Sequence, residues 1–509
     1  SMLRALGPLT LPTTSAGTRY TMEGDPRLIN CYAEQTGSGA KSPQTIYAMS
    51  GLDLWTTVQN GGTSSGPTGV RAFCATEDYL YVVAGRKVTA IDKLGVKTLV
   101  VTLPGDGDVY LARNRRSPDP QVGLVSDGTF RVITGTSIAT VTDPDLPPPV
   151  ALGVSDGYHL LPTTFGRMFI TGEDDATTVS ALDFGRAQKQ PGELLYSLGA
   201  ERDVIQFTTQ GIEWWTNSPD GSGNFPYVPV ANITLGCIGA KTVVQLDRAV
   251  AWMASDYTVR LMDGYSGKRI SDHAQERDFH APVGTVYGFG WNDTSTGHAW
   301  LCWRCETWAW AYNLRTGMWS ELKESGSRTT WRGCQAISWQ GDTLIGDYED
   351  GRIYRVDYKV NNWGGDPFTL EVNLASAHSF PHKMRLNAVY VDAVTGVGLA
   401  SPLPKIGDEI GWDSEPLGWE LEAFGWLENL DTPYENEFPA LMLATSADGG
   451  RTFTQNRHLN LGKSGDRIRR LRSYRFGQFS TPGCTLRLSC FASVARAISG
   501  VSIDVDKLK

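Results

Sequence analysis

The sequence predicts an all-β protein, a β-propeller of six or seven blades with a C-terminal antiparallel β-domain. Three observations carry that expectation. The 509 residues include 56 Gly, 26 Pro, 16 Trp, 19 Tyr and 17 Phe, a composition of tight turns and aromatic-faced strands. A hairpin-like unit recurs between about residues 70 and 358, with irregular spacing near the length of a four-stranded blade. After NNWGGDP (361 to 367) the unit stops and a different strand pattern takes over.

The recurring unit is an alternating strand, a Gly or Asp-Gly turn and a second alternating strand. Its copies are YLYVVAGRKVTAID (79 to 92), VGLVSDGTFRVI (122 to 133), RMFITGEDDATTVSAL (167 to 182), VIQFTTQGIEWWT (204 to 216), AVAWMASDYTVRLMDG (249 to 264), AWLCWRCETWAWAY (299 to 312) and DTLIGDYEDGRIYRVD (342 to 357). One copy is too small to bury a core, so the copies must pack on one another. A closed ring does this; a pair of β-sandwiches is the alternative the same hairpins could build.

The domains expected are a segment at 1–60 docking on the propeller, the propeller at 61–360, and a C-terminal β-sandwich or stem at 361–509. Within the last, MRLNAVYVDAVTG (384 to 396) precedes an insertion at 406–438 with ten acidic side chains and no Lys or Arg. Trp412, Trp419 and Trp426 recur there every seven residues, but Gly and Pro oppose a long helix. The insertion reads as a partner-docking excursion or as an ordinary solvated loop. The strands LMLATS, CTLRLSCFA and AISGVSIDV complete the domain.

The formal net charge of −9 and pI near 5.4 argue against a broad basic surface that grips nucleic acid. No apolar run is long enough to span a bilayer, and the opening SMLRALGPLTLPTT lacks a signal-peptide pattern. A soluble protein made in a cytoplasm, without stable membrane insertion, is expected; Ser1 is either a tag remnant or the residue left after initiator removal. The eight cysteines are scattered and read as free buried thiols. Cys302-Trp-Arg-Cys305 is a lone CxxC in an apparent strand, whose odd spacing sends its sulfurs to opposite faces. His378 and His382 are separated by a segment containing Pro381, which opposes a helical ligand pair. No metal or cofactor is expected.

Residues 446 to 453, SADGGRTF, fit the pattern Ser-x-Asp-x-Gly-x-Thr-aromatic found in sialidases and other β-propellers. Physically the stretch is a hairpin tip. Asp448, Gly449 and Gly450 tolerate a tight turn, Ser446, Asp448 and Thr452 bond the turn backbone, and Phe453 packs on the sheet below. A sialidase also needs an arginine cluster, and the nearest sequences, Phe130-Arg131-Val132-Ile133 and Tyr354-Arg355-Val356-Asp357, lack its proline. A carbohydrate-active or carbohydrate-binding propeller is the alternative function; the structural hairpin is favoured.

Arg467, Arg469, Arg470, Arg472 and Arg475 crowd one segment of an otherwise acidic chain. On an extended strand 470 and 472 share one face, and 467, 469 and 475 the other. Such a strand suits ion pairing across a subunit boundary, with DNA phosphates as the other candidate partner.

The order LMLATS, SADGGRTF, GDRIRRLRSYRFGQF, CTLRLS resembles the C-terminal part of the tail hub proteins of short-tailed phages, also called tail nozzle or packaged-DNA stabilisation proteins. RLINCYAEQTGSGAKSPQTIYAMSGLDLW (27 to 55) looks like their opening, and residues 204 to 256 match in the order of their pieces. The acidic insertion departs from the pattern. The resemblance implies a non-enzymatic virion tail component assembled in the host cytoplasm as a homo-oligomer, apparently a hexameric ring. Its implied partners are the phage connector or adaptor, a tailspike or tail fibre, a tail plug or needle, and double-stranded DNA passing without sequence-specific binding. Its implied role is to extend the DNA exit channel and retain the packaged genome.

Overall fold

The computed structural model describes residues 50–398 and 439–508, except 61–66, 188, 190–191, 202, 218–225, 295, 325–329, 368–369, 375, 379–381 and 464–469. It also gives the backbone of four strands, Thr18–Thr21, Arg27–Ile29, Cys31–Gln35 and Gln44–Ala48. The chain divides into two compact units, one of residues 53–315 and 328–356, the other of 1–52, 316–327 and 357–509.

The first unit is a seven-bladed propeller. In blade one, Val70–Ala75, Tyr79–Ala84, Lys87–Asp92 and Lys97–Thr102 pair in sequence as an antiparallel meander. Blades two to five repeat that plan. Blade six gives this unit the strands Tyr287–Asp293, His298–Arg304 and Ala309–Asn313. Blade seven, beginning at Gly333–Trp339, is completed by the early strand Gly51–Thr57 beside Arg352–Asp357. An early strand thus closes the sheet made by late ones, and this latch fixes the ring.

The inner strands are Val70–Ala75, Val109–Arg113, Gly153–Ser155, Leu194–Ala200, Val244–Leu246, Tyr287–Asp293 and Gly333–Trp339. Each lies against the next; the last returns to the first, and Gln245 Nε2 donates to Gly199 O (3.3 Å) between blades four and five. Six of the seven sequence copies are the two middle strands of their blades, and RMFITGEDDATTVSAL is the third and outermost strands of blade three; one copy per blade settles the count at seven.

The core is divided between blades because side chains alternate across each strand. In YLYVVA, Leu80, Val82 and Ala84 pack with Trp339, Leu344 and Ile353 of blade seven. Tyr81 and Val83 of the same strand pack with Val109, Val122 and Leu124 of blade two. Burial on both faces explains continuous apolar runs where a one-sided sheet would alternate. Two-residue turns join neighbouring strands within blades: Asp127-Gly128, Asp156-Gly157 and Gln340-Gly341 all have positive φ, as the twist of a hairpin favours.

The second unit is a β-sandwich. One sheet runs Cys31–Gln35, Gln44–Ala48, Ala497–Leu508, Lys383–Ala393, Leu471–Phe479, with Thr18–Thr21 also paired to Ala497–Leu508. The other includes the path Arg27–Ile29, Leu370–Asn373, Thr485–Cys490, Ala440–Ser446, Arg457–Asn460. Leu386, Val389, Val391 and Ile503 of the first meet Val372, Leu443, Leu486 and Leu488 of the second in one buried cluster. A bulge between Leu386 and Ala388 switches the buried positions of that strand from even to odd. Of the N-terminal segment expected at 1–60, the strands Thr18–Thr21, Arg27–Ile29, Cys31–Gln35 and Gln44–Ala48 pair within this sandwich unit, while Gly51–Thr57 pairs in blade seven. The insertion 406–438, with Trp412, Trp419 and Trp426, lies outside the described residues.

Candidate functional site

SADGGRTF forms the tip between Ala440–Ser446 and Arg457–Asn460. Ser446 Oγ donates to Asp448 Oδ1 (2.6 Å) and accepts from Gly450 N (2.8 Å). The Asp448 carboxylate accepts from Arg451 N (2.9 Å), Thr452 N (3.0 Å) and Thr452 Oγ1 (2.6 Å). Donors on this scale favour the charged form, and these bonds, the hydroxyls first, hold Asp448 far below the usual carboxylate range. Gly449 and Gly450 supply the positive φ of the turn, and Phe453 lies under the Arg487 guanidinium, 4.2 Å from its ring centroid. A general acid needs a raised pKa and a free face towards substrate. Asp448 has its pKa lowered and its oxygens engaged within the hairpin.

The arginines of the two sialidase-like stretches are also engaged. Arg131 donates to Ser126 Oγ (2.9 Å), while Arg355 pairs with Asp53 (3.2 Å). Among the described residues no group of three or more His, Cys, Asp or Glu is placed to hold a metal. The seven described cysteines are free and buried, Cys302 and Cys305 among them. Burial pushes the Cys237 thiol up to about 11 and the Cys74 thiol to about 12, which leaves both protonated and weakly nucleophilic at neutral pH.

Three of the five clustered arginines are described; Arg467 and Arg469 lie outside the described residues. Arg470 is paired in a fork with Asp392. Arg472 is exposed beside Tyr474, its guanidinium carbon 5.9 Å from the ring centroid. Simple alternation would turn Arg475 inward with Leu471 and Ser473, but its φ of 63° at the bulge leaves it exposed. Arg470, Arg472 and Tyr474 therefore share the open face of Leu471–Phe479, and the bulge adds Arg475 to the exposed set. Arg457 donates from Nη2 to Arg475 O (2.9 Å) and from Nη1 to Tyr474 O, covering edge carbonyls of that strand.

Sequence reasoning did not single out three propeller cations that converge on the ring axis, Arg71, Lys241 and Arg304. They stand on different blades and no spacing links them. The one local signal was Arg304 itself, a charge inside the apolar strand HAWLCWR.

Among the described residues, no helix is long and apolar enough to cross a membrane. No curated protein matches the chain. Solved structures similar to it include the WD40 β-propeller domain of Doa1, with 14% identity, 60% of this chain and 97% of that one covered, and a TM-score of 0.38. YCF48 bound to D1 peptide matches with 12% identity, 61% and 98% coverage and a TM-score of 0.37. BamB from Moraxella catarrhalis matches with 10% identity, 67% and 97% coverage and a TM-score of 0.35. A family model described as bacteriophage P22 Gp10, beta-propeller, matches residues 28–361. That span holds the whole seven-bladed ring, including the early strand that closes it, and so the chain belongs to the family of the phage P22 Gp10 β-propeller and is a structural protein of the phage tail.

Proposed function

We propose that the protein is a tail hub subunit of a short-tailed phage, a non-enzymatic component that assembles as a hexameric ring below the connector. The ring extends the DNA exit channel, retains the packaged genome and anchors tailspikes or fibres, with a plug or needle at its end. The observation that carries this reading is the family match over residues 28–361. The net charge of −9 agrees with it, because a like-charged wall lowers adhesion to phosphates during ejection. Exposed Arg472 and Arg475, on an edge strand of the sandwich, are the subunit-contact candidates among the described residues.

Native mass measurement tests it, on the full chain alone and mixed with its connector. Rings of defined mass that join the connector are expected. A chain that stays monomeric in both samples and cleaves a polysaccharide would overturn the reading.

A further inference from the structure

The propeller contains a cavity of about 360 Å³ where the inner strands of blades one, two, six and seven begin, with Lys241 reaching it from just before the inner strand of blade five. We propose that this axial cavity binds a small oxyanion, a carboxylate or a phosphate, through Arg304, Lys241 and Arg71. It does not rest on the assembly proposed above.

Arg304 is taken from water, and Lys241 and Arg71 partly so, without a carboxylate in return. Arg304 is 4% exposed; it donates from Nη2 to Thr330 Oγ1 (2.9 Å) and its guanidinium lies 3.9 Å from the Tyr348 ring centroid. Among the described residues its Nε–H has no acceptor. The Lys241 ammonium sits 3.8 Å from the Tyr110 ring centroid and donates to Val109 O. Arg71 donates to the carbonyls of Gly85 (3.1 Å), Asp106 (2.9 Å) and Gly107. Among the described residues none of the three has a carboxylate oxygen within 4.0 Å.

Rings and carbonyls offset part of the desolvation of a cation, but a buried charge is ordinarily matched by an opposite one. The acidic groups of the cavity stand at its rim. Asp106 is exposed and bound to Arg86, and Asp108 and Glu306 are exposed. Burial lowers the Lys241 ammonium to about 8, with Asp108 opposing that change and Arg71 reinforcing it, so the site is still cationic at neutral pH. Three convergent donors, one of them an unused Nε–H in a buried guanidinium, are the chemistry that recognises a planar carboxylate or a tetrahedral phosphate. The volume suits a small ligand or one acidic side chain.

Isothermal titration of the full chain with inorganic phosphate, and separately with glutarate, tests the proposal against sodium chloride at matched ionic strength. Saturable binding of at least one anion is expected. Phosphate alone identifies a phosphate site; glutarate alone identifies a site for carboxylates, including acidic side chains. Arg304→Met and Lys241→Met should each weaken binding about tenfold or more, the scale of a lost charged hydrogen bond. Arg113→Met, at the other end of the same axis, should leave it unchanged. If Arg304→Met fails to fold, Lys241→Met and Arg71→Met carry the test from the partly exposed wall. The proposal is overturned if neither anion exceeds the chloride control, or if the folded cavity variants bind as the parent does.

Discussion

Arg470 and Asp392 meet fork to fork, with Nε 2.5 Å from Oδ1 and Nη2 2.9 Å from Oδ2. The best-placed arginine of the basic segment thus has its partner inside its own chain. Arg470 is about half exposed and Asp392 about one third, and pairs open to solvent contribute about 0.2–1 kcal/mol. Arg470→Ala should lower stability by no more than that, and a double-mutant cycle with Asp392→Ala should recover the coupling by urea denaturation. Ring assembly, read by native mass, should survive Arg470→Ala.

Arg472 and Arg475 are exposed and have no carboxylate partner among the described residues. Under the proposed ring, Arg472→Glu with Arg475→Glu should shift the mass distribution to monomers while thermal unfolding of the monomer stays within a degree or two. Intact rings with altered DNA retention would assign these side chains to the channel instead.

In the hairpin box, Ser446 is buried and links Asp448 to Gly450 N. Ser446→Ala should cost on the order of 1–2 kcal/mol, since it leaves the half-buried Gly450 N–H without its acceptor. Asp448→Asn should also destabilise. The folded carboxylate has a lowered pKa, so its contribution is fully present above the ordinary value of 3.8 and fades as pH falls towards the folded value. Urea midpoints of the parent and Asp448→Asn should therefore converge as pH is taken below 3.8.

His159 is fully buried, with Nε2 3.0 Å from Ala112 O and 3.3 Å from Gly123 N. Burial lowers its pKa to about 4 from 6.5, so between those values the unfolded chain holds more protons and stability falls as pH falls. The loss should reach about 3 kcal/mol by pH 4, at 1.36 kcal/mol per unit. His159→Gln should flatten that part of the curve; an unchanged slope would assign the acid sensitivity elsewhere.

Lys241 gives a slope of the same sign at high pH. Its folded pKa of about 8 lies below the ordinary 10.5, so the unfolded chain again holds more protons between them and stability rises with pH across that window. Lys241→Met should remove this rise. Asp108 and Arg71, which face the ammonium, act on it in opposite directions, and Tyr110 and Tyr287 nearby stay protonated through most of the window because burial raises both.

The sequence alone determined the class of fold, one hairpin from each of the seven blades and the turn chemistry of SADGGRTF. Those hairpins are buried on both faces, so YLYVVA and its counterparts are apolar at nearly every position and stand out. The outermost strands do not: Lys97–Thr102 and Ser137–Thr140 are largely exposed and carry no pattern burial would impose. The latch at Gly51–Thr57 was equally silent, because its partner Arg352–Asp357 is some three hundred residues away along the chain. The local hairpin chemistry of Ser446, Asp448 and Thr452 acts over a few residues, and a sequence displays it directly.

Tertiary structure decided the rest. It fixed the blade count, because closure depends on every inner strand meeting its neighbour. It divided the arginine segment, because an unseen partner, Asp392, took Arg470 and a bulge turned Arg475 to solvent. It also brought Arg71, Lys241 and Arg304 to one cavity from three blades. A ring places residues far apart in sequence around one axis, and charges so gathered interact across space that the order of residues does not record.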